Sequence, residues 1–260
     1  MTMTDATTNR TGAAKLWLLN FVVNAALLAI AYFWLLIPDA RGWQLAGSAL
    51  LAVIEVVLVL WLRAGTLAYF RIAEFRNQGT VWRAYRHSLR HVPALAVWVL
   101  MFLLVAWLLW SLDPYVPQFS VWLRQKLNGG PPPRSVMAGV NRFLLLLVGI
   151  VMPALWLPIA TTVAAVGFNP HHIVLSRRVW KRPAYWLWFC LLLGVGIYAP
   201  YKLVWWIPDL QTLRQQAWST GLRFLLAYLI GVTAFIAVVW MTASRTDRED
   251  PITLQHETGN

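Results

Sequence analysis

Six apolar runs alternate with short polar or basic connections along this chain, at residues 16–37, 43–62, 94–112, 141–166, 184–204 and 222–241. Crossing a bilayer takes about 20 mostly apolar residues in helical form, so each run qualifies as a span. The pattern predicts an all-α polytopic membrane protein, with six transmembrane helices in three antiparallel hairpins. Pro38-Asp39 closes the first run, and the turn at 39–42 is short enough to make spans one and two antiparallel neighbours. Residues 1–15 read as a disordered polar N-terminus and 242–260 as a disordered tail, which leaves 16–241 as the transmembrane domain.

Two connections break the polar-loop pattern because they are basic and amphipathic. Residues 63–93 hold Arg63, Arg71, Arg76, Arg83, Arg86 and Arg90 against a single carboxylate, Glu74. Gly79-Thr80 marks a break, with Thr80 as N-cap of a new helix. Beyond it Val81, Tyr85, Leu89 and Val92 recur at helical spacing beside Trp82, while Arg83, Arg86, His87 and Arg90 take the other side. Such a helix is expected in the interface plane, apolar face down and basic face toward phosphates. The second stretch, 167–183, starts at Asn169-Pro170, a cap followed by a proline in the first turn, and carries Arg177, Arg178, Lys181 and Arg182. Arg83, Arg86, Arg90, Arg177, Arg178, Lys181 and Arg182 are the expected headgroup-binding residues.

The charge distribution sets an orientation. Fourteen of the 22 lysines and arginines fall on the side that holds both basic stretches and both ends. Positive connections stay in the cytoplasm, so both termini are expected there, in a multi-pass protein of a bacterial inner membrane. The outer side offers a second amphipathic segment at 116–127, a stop at Gly129-Gly130, a stiff return at 131–133, and a helix start at Asp209.

The basic stretches also echo each other. Aligning Pro93 with Pro183 superimposes Pro-Ala on Pro-Ala, Leu89 on Val179 and Trp98 on Trp188, each stretch leading into a span. Six spans with a basic helix ending in Arg/Lys-x-Pro-Ala before spans three and five resemble a group of uncharacterised bacterial membrane proteins. That group is related to the membrane domain of glycerophosphoryl diester phosphodiesterases. The resemblance covers about 62–241 and implies the six-span topology. It implies no catalytic residue, since the soluble catalytic domain of those enzymes has no counterpart in this sequence.

Composition sharpens the class. At 59% apolar and 12% charged, the chain departs from a soluble domain, where about a quarter of residues are charged. Its 17 tryptophans suit the water–lipid interfaces. A net charge of +12 suggests nucleic acid in a soluble protein; here most of it flanks spans, so the expected partner is anionic lipid and not nucleic acid. Cys190, alone of its kind, rules out an intrachain disulfide and a cysteine-rich metal site.

Glu55 is the one carboxylate well inside a span. An acid at mid-helix costs about 2.5–3.5 kcal/mol, so it should face other helices. Counted from Arg63 it lies roughly 12 Å below the inner surface, and Asn24 and Thr233 reach similar depth. Asn24, Glu55 and Thr233 therefore form a candidate intramembrane polar cluster, with Asn20 one turn from Asn24. It reads either as a proton- or substrate-handling site or as interhelical glue. Pro153 and Pro158 predict a kink in span four. Arg142 and Arg223 mark the outer mouths of spans four and six. His87, His91, His171 and His172 share one side, but neighbouring arginines repel a cation and no cysteine or carboxylate pair completes a metal set. No phosphate loop, zinc-protease motif or catalytic acid pair is present.

These features predict a non-catalytic scaffold without cofactor, engaging lipids or supporting assembly at the cytoplasmic leaflet, alone, with a membrane-protein partner or as a homo-oligomer. The alternative is a transporter or permease subunit using the kinked span four and Glu55.

Overall fold

The computed structural model describes residues 3–37, 41–127, 134–208, 212–249 and Ile252. Among these every regular element is helical. The chain runs through α1 (Met3–Leu35), α2 (Gly42–Arg71), α3 (Ala73–Gln78) and α4 (Val81–Ser88). A 3₁₀ turn (Leu89–His91) leads into α5 (Val92–Trp110), followed by α6 (Val116–Leu127) and α7 (Arg134–Leu146). One π-helical turn (Leu147–Val151) joins α7 to α8 (Met152–Val166). Then come α9 (Pro170–Ser176), a second 3₁₀ turn (Arg177–Lys181), α10 (Pro183–Trp205) and α11 (Leu213–Glu249). Six helical segments are long and apolar enough to cross a membrane. The chain is a polytopic membrane protein.

Hairpins form as the pattern predicts: α1 packs on α2, α5 on α8, and α10 on α11. The three returning helices, α2, α8 and α11, also pack on one another. Their far halves carry the core. Leu62 and every residue from 64 to 72 are buried, as are residues 158–165 of α8 and Val239, Thr242, Ala243 and Thr246 of α11. The opposite halves of the spans instead present large apolar side chains outward, among them Leu50, Leu104, Ile197 and Phe224. The molecule thus has two zones: a lipid-facing bundle and a densely packed head at the basic end.

Helix lengths explain the head. At 1.5 Å per residue the 30 residues of α2 extend about 45 Å, well beyond a hydrocarbon layer of about 30 Å. The expected stop at Leu62 is not made, because Ala64 to Phe70 holds no proline and is buried against the rest of the head, so the helix continues to a break at Ile72, whose backbone is extended. Two further helices run past the expected span ends. Helix α1 already runs at Met3, ahead of the expected start at Leu16. Gly12 is buried there, and a Cβ on it would meet the Tyr69 hydroxyl and come within 2.7 Å of the Gly79 Cα. Helix α11 likewise passes Met241 to reach Glu249, because Thr242, Ala243 and Thr246 are buried and Asp247 is ion-paired. The turns expected at 38–39, 128–133 and 209, and most of the tail beyond 249, lie outside the described residues.

Span four bends where proline dictates. Pro153 stands in the first turn of α8 without an amide hydrogen, and the turn before it widens to the π form. Pro158 has no amide hydrogen for the Ala154 carbonyl one turn back, and the Tyr185 hydroxyl of α10 donates to that carbonyl instead, at 2.7 Å.

The repeat seen in the sequence reappears as a repeat of elements. α4, a 3₁₀ turn and α5 are matched by α9, a 3₁₀ turn and α10, each span opening on its proline. Leu95 and Tyr185, equivalent in that alignment, are both buried; Leu89 and Val179 are not equivalent in burial, at 51% and 0% exposed. Each basic helix packs on the returning helix of the hairpin before it, α4 on α2 and α9 on α8.

Candidate functional site

The basic end is assembled from the two repeated helices and a polar seam beneath the first. Gly79, in the left-handed conformation (φ 63°), turns the chain into α4. Thr80 precedes the helix as expected, but its side chain makes no cap hydrogen bond. Ala84, Tyr85 and Ser88 are buried against α2. Gly65 permits this, for a Cβ there would lie inside the Tyr85 ring. The apolar face of α4 is therefore taken up by protein, not laid on lipid as the pattern implied. Only Trp82 and Leu89, 67% and 51% exposed, remain to touch the membrane. The reason is that α2 overshoots the bilayer and offers its own small-residue face first.

The seam itself joins α1, α2 and α4. Asn20 Nδ2 donates to the Leu16 carbonyl and to Thr66 Oγ1, both at 3.0 Å, and to the Tyr85 hydroxyl at 3.4 Å. Thr66 and Tyr85 meet hydroxyl to hydroxyl at 2.9 Å. One turn along α1, Asn24 donates to the Asn20 carbonyl at 2.6 Å and accepts from Arg63 at 2.9 Å. The Arg63 guanidinium also stands 4.3 Å over the Phe235 ring of α11. Burying these polar groups is tolerable only because each finds a partner.

The three residues of the expected cluster do not converge through hydrogen bonds. Asn24 belongs to the seam. Thr233 accepts from the Trp17 indole at 3.0 Å and donates to the Leu229 carbonyl. Glu55 sits half-buried in line with Ser48, Leu51, Leu58 and Leu62, the stripe of α2 turned toward the bundle. Among the described residues it makes no hydrogen bond or ion pair. Sequence reading overlooked Thr66, Tyr85 and Arg63 as partners of α1, because it ended span two at Leu62. The absence of proline and the apolar residues 67–70 beyond Arg63 were the available signal.

On the outside of the head lie the cations. Arg83, Arg86 and Arg90 are exposed on one repeat; Arg177, Arg178 and Lys181 are exposed on the other, with Arg182 half-buried. The end of α8 holds the two groups together. His87 donates from Nε2 to the Ala165 carbonyl at 2.8 Å, a carbonyl in the last turn that lacks a helical donor. His91 lies against Gly167, and Asn169 Oδ1 accepts from the His171 amide at 3.1 Å to start α9, as the sequence predicted. Among the described residues no three histidine, cysteine, aspartate or glutamate side chains gather as a metal set.

A second charge arrangement closes the head. Asp247 of α11 reaches Arg71 at 3.5 Å and Arg76 at 3.1 Å, with Arg71 fully buried. Arg76 also donates to the Phe70 carbonyl at 3.2 Å.

No family model, curated protein or solved structure matches the chain.

Proposed function

We propose that the protein is a non-catalytic scaffold of the bacterial inner membrane that engages anionic lipid through the basic end of its bundle. Both termini are then cytoplasmic, as the excess of basic residues at that end favours. One observation carries this reading. Both repeated helices are packed onto the bundle, α4 on α2 and α9 on α8, yet Arg83, Arg86, Arg90, Arg177, Arg178 and Lys181 stay exposed. Cations held on a rigid head beside a leaflet are matched to headgroup phosphates, at about 1 kcal/mol each. Trp82 and Leu89 add a small wedge between headgroups.

The test uses the whole protein in vesicles containing phosphatidylglycerol and phosphatidylcholine. Reversal of Arg83, Arg86 and Arg90 to glutamate should erase the enrichment of phosphatidylglycerol around the protein, a loss of roughly 3 kcal/mol. Unchanged enrichment in a folded variant defeats the proposal.

A second reading, a transporter or permease subunit, is supported by Glu55. It faces the bundle without a polar partner among the described residues and lies in the same protein as the bent span four. Proton-coupled uptake lost in Glu55→Gln would favour that reading over the scaffold.

A further inference from the structure

The seam between the second and third hairpins closes at the head and opens away from it. At the closed end the Tyr185 hydroxyl of α10 donates to the Ala154 carbonyl of α8 at 2.7 Å, and both residues share a buried cluster with Phe189. Beyond the π turn and Pro153 the walls separate into a cleft of about 560 Å³, between α7 with its π turn and α10. That volume falls within the range of about 300–1,000 Å³ typical of small-ligand sites.

The cleft has a graded chemistry. Leu145, Ile150, Leu193 and Ile197 supply apolar walls, while Arg142, Tyr198 and Tyr201 stand toward the mouth. Lys202 is 5.4 Å from the Tyr198 ring, so two cations attend that end. Among the described residues no carboxylate lines the cleft. Among the described residues Arg142 makes no ion pair or hydrogen bond, and its side chain is exposed. Gly149 and Gly194 face open space, with nothing within 4 Å of a Cβ built on either.

Length discriminates the occupant. From Arg142 to Ile150 along the helix is about 12 Å, and from Tyr201 to Cys190 about 16 Å. One leaflet of hydrocarbon is about 15 Å deep. A slot one leaflet deep, greasy along its walls and cationic at its rim, has the proportions of a phospholipid chain hanging from its phosphate.

We infer that this cleft seats one phospholipid of the leaflet opposite the basic head, with its acyl chain between α7 and α10 and its phosphate on Arg142. This site is separate from the headgroup surface proposed above and draws on the other leaflet.

The experiment places the full chain in nanodiscs with a phosphatidylglycerol carrying a photoactivatable diazirine midway along one acyl chain. Adducts should concentrate on residues 142–151 and 190–201. Arg142→Gln should lower them about fivefold, the ratio expected for one basic side chain at a phosphate. Gly194→Leu, which fills the slot without meeting a neighbouring atom, should abolish them. Thermal unfolding and a monodisperse elution profile check that each variant folds; Arg142→Gln stands as the second test if Gly194→Leu does not. Adducts spread evenly over all six spans, or unchanged in either folded variant, overturn the inference. So does ready disulfide cross-linking of native Cys190 between two copies, which would place a second protein molecule in the cleft.

Discussion

Thr66 of α2 and Tyr85 of α4 face each other across 2.9 Å, hydroxyl to hydroxyl, with the Asn20 amide donating to both. This contact fixes the first basic helix to the bundle, so the arginines of α4 are displayed by a folded support instead of a floating segment. Tyr85→Phe removes one member and leaves its partners less satisfied, at a cost of about 1–3 kcal/mol. Thr66→Val should cost a similar amount, and the double variant distinctly less than the sum of the two. Thermal unfolding of all four proteins in one detergent measures the cycle, and strict additivity would dissolve the proposed seam.

The neighbouring glycine gives an independent check. Gly65→Val drives a side chain into the Tyr85 ring and should lift α4, costing about 1–3 kcal/mol by overpacking. Limited trypsin digestion should then cut faster after Arg83 and Arg86 than in the parent, while outer sites such as Arg124 keep their rate.

Asp247→Asn withdraws the carboxylate from Arg71 and Arg76. Because Arg71 is fully buried, the loss should approach the cost of breaking a buried pair, about 3 kcal/mol. The partial exposure of Asp247 and Arg76 argues against a larger value. Unfolding temperature reports it, and a shift of less than a degree would show that the pair contributes nothing.

Glu55 separates the two functional readings by stability as well as by transport. In a scaffold an unpartnered acid on the inward stripe is a cost, so Glu55→Leu should stabilise the protein by about 2 kcal/mol. A site maintained for chemistry would instead lose an activity. Chemical denaturation in mixed micelles decides the first, and destabilisation by leucine would mean that Glu55 holds a contact the described residues do not contain.

Orientation is open to direct labelling. In a Cys190→Ser background, cysteines at Asn77 and at Gln118 should react with a membrane-impermeant maleimide from opposite sides of a sealed vesicle. Both positions are exposed. Reaction from the same side would overturn the topology on which the lipid proposals rest.

The spans were legible because a bilayer demands an apolar length, and that length survives in a single sequence. Cap chemistry was legible at Asn169, whose oxygen accepts the His171 amide, and misleading at Thr80, where the left-handed Gly79 alone makes the turn. What the sequence hid was the head. Arg71, Thr242 and Asp247 look like soluble flanks by composition, yet Arg71 and Thr242 are buried and Asp247 pairs with Arg71. Amphipathicity identified the buried face of α4 through Tyr85, but periodicity does not say whether protein or lipid will cover it. Tertiary contact with Gly65 decided that.

The Asp247 clamp also has an implication for biosynthesis. Arg71 and Arg76 emerge from the ribosome well before the Asp247 carboxylate that pairs with both, and of the four spans still to come only α11 brings it. Until then the early hairpins lack the carboxylate that joins Arg71 and Arg76 to the last span. Maturation of this protein should be paced by entry of its sixth span, and a stalled nascent chain lacking that helix should be a ready substrate for membrane quality control.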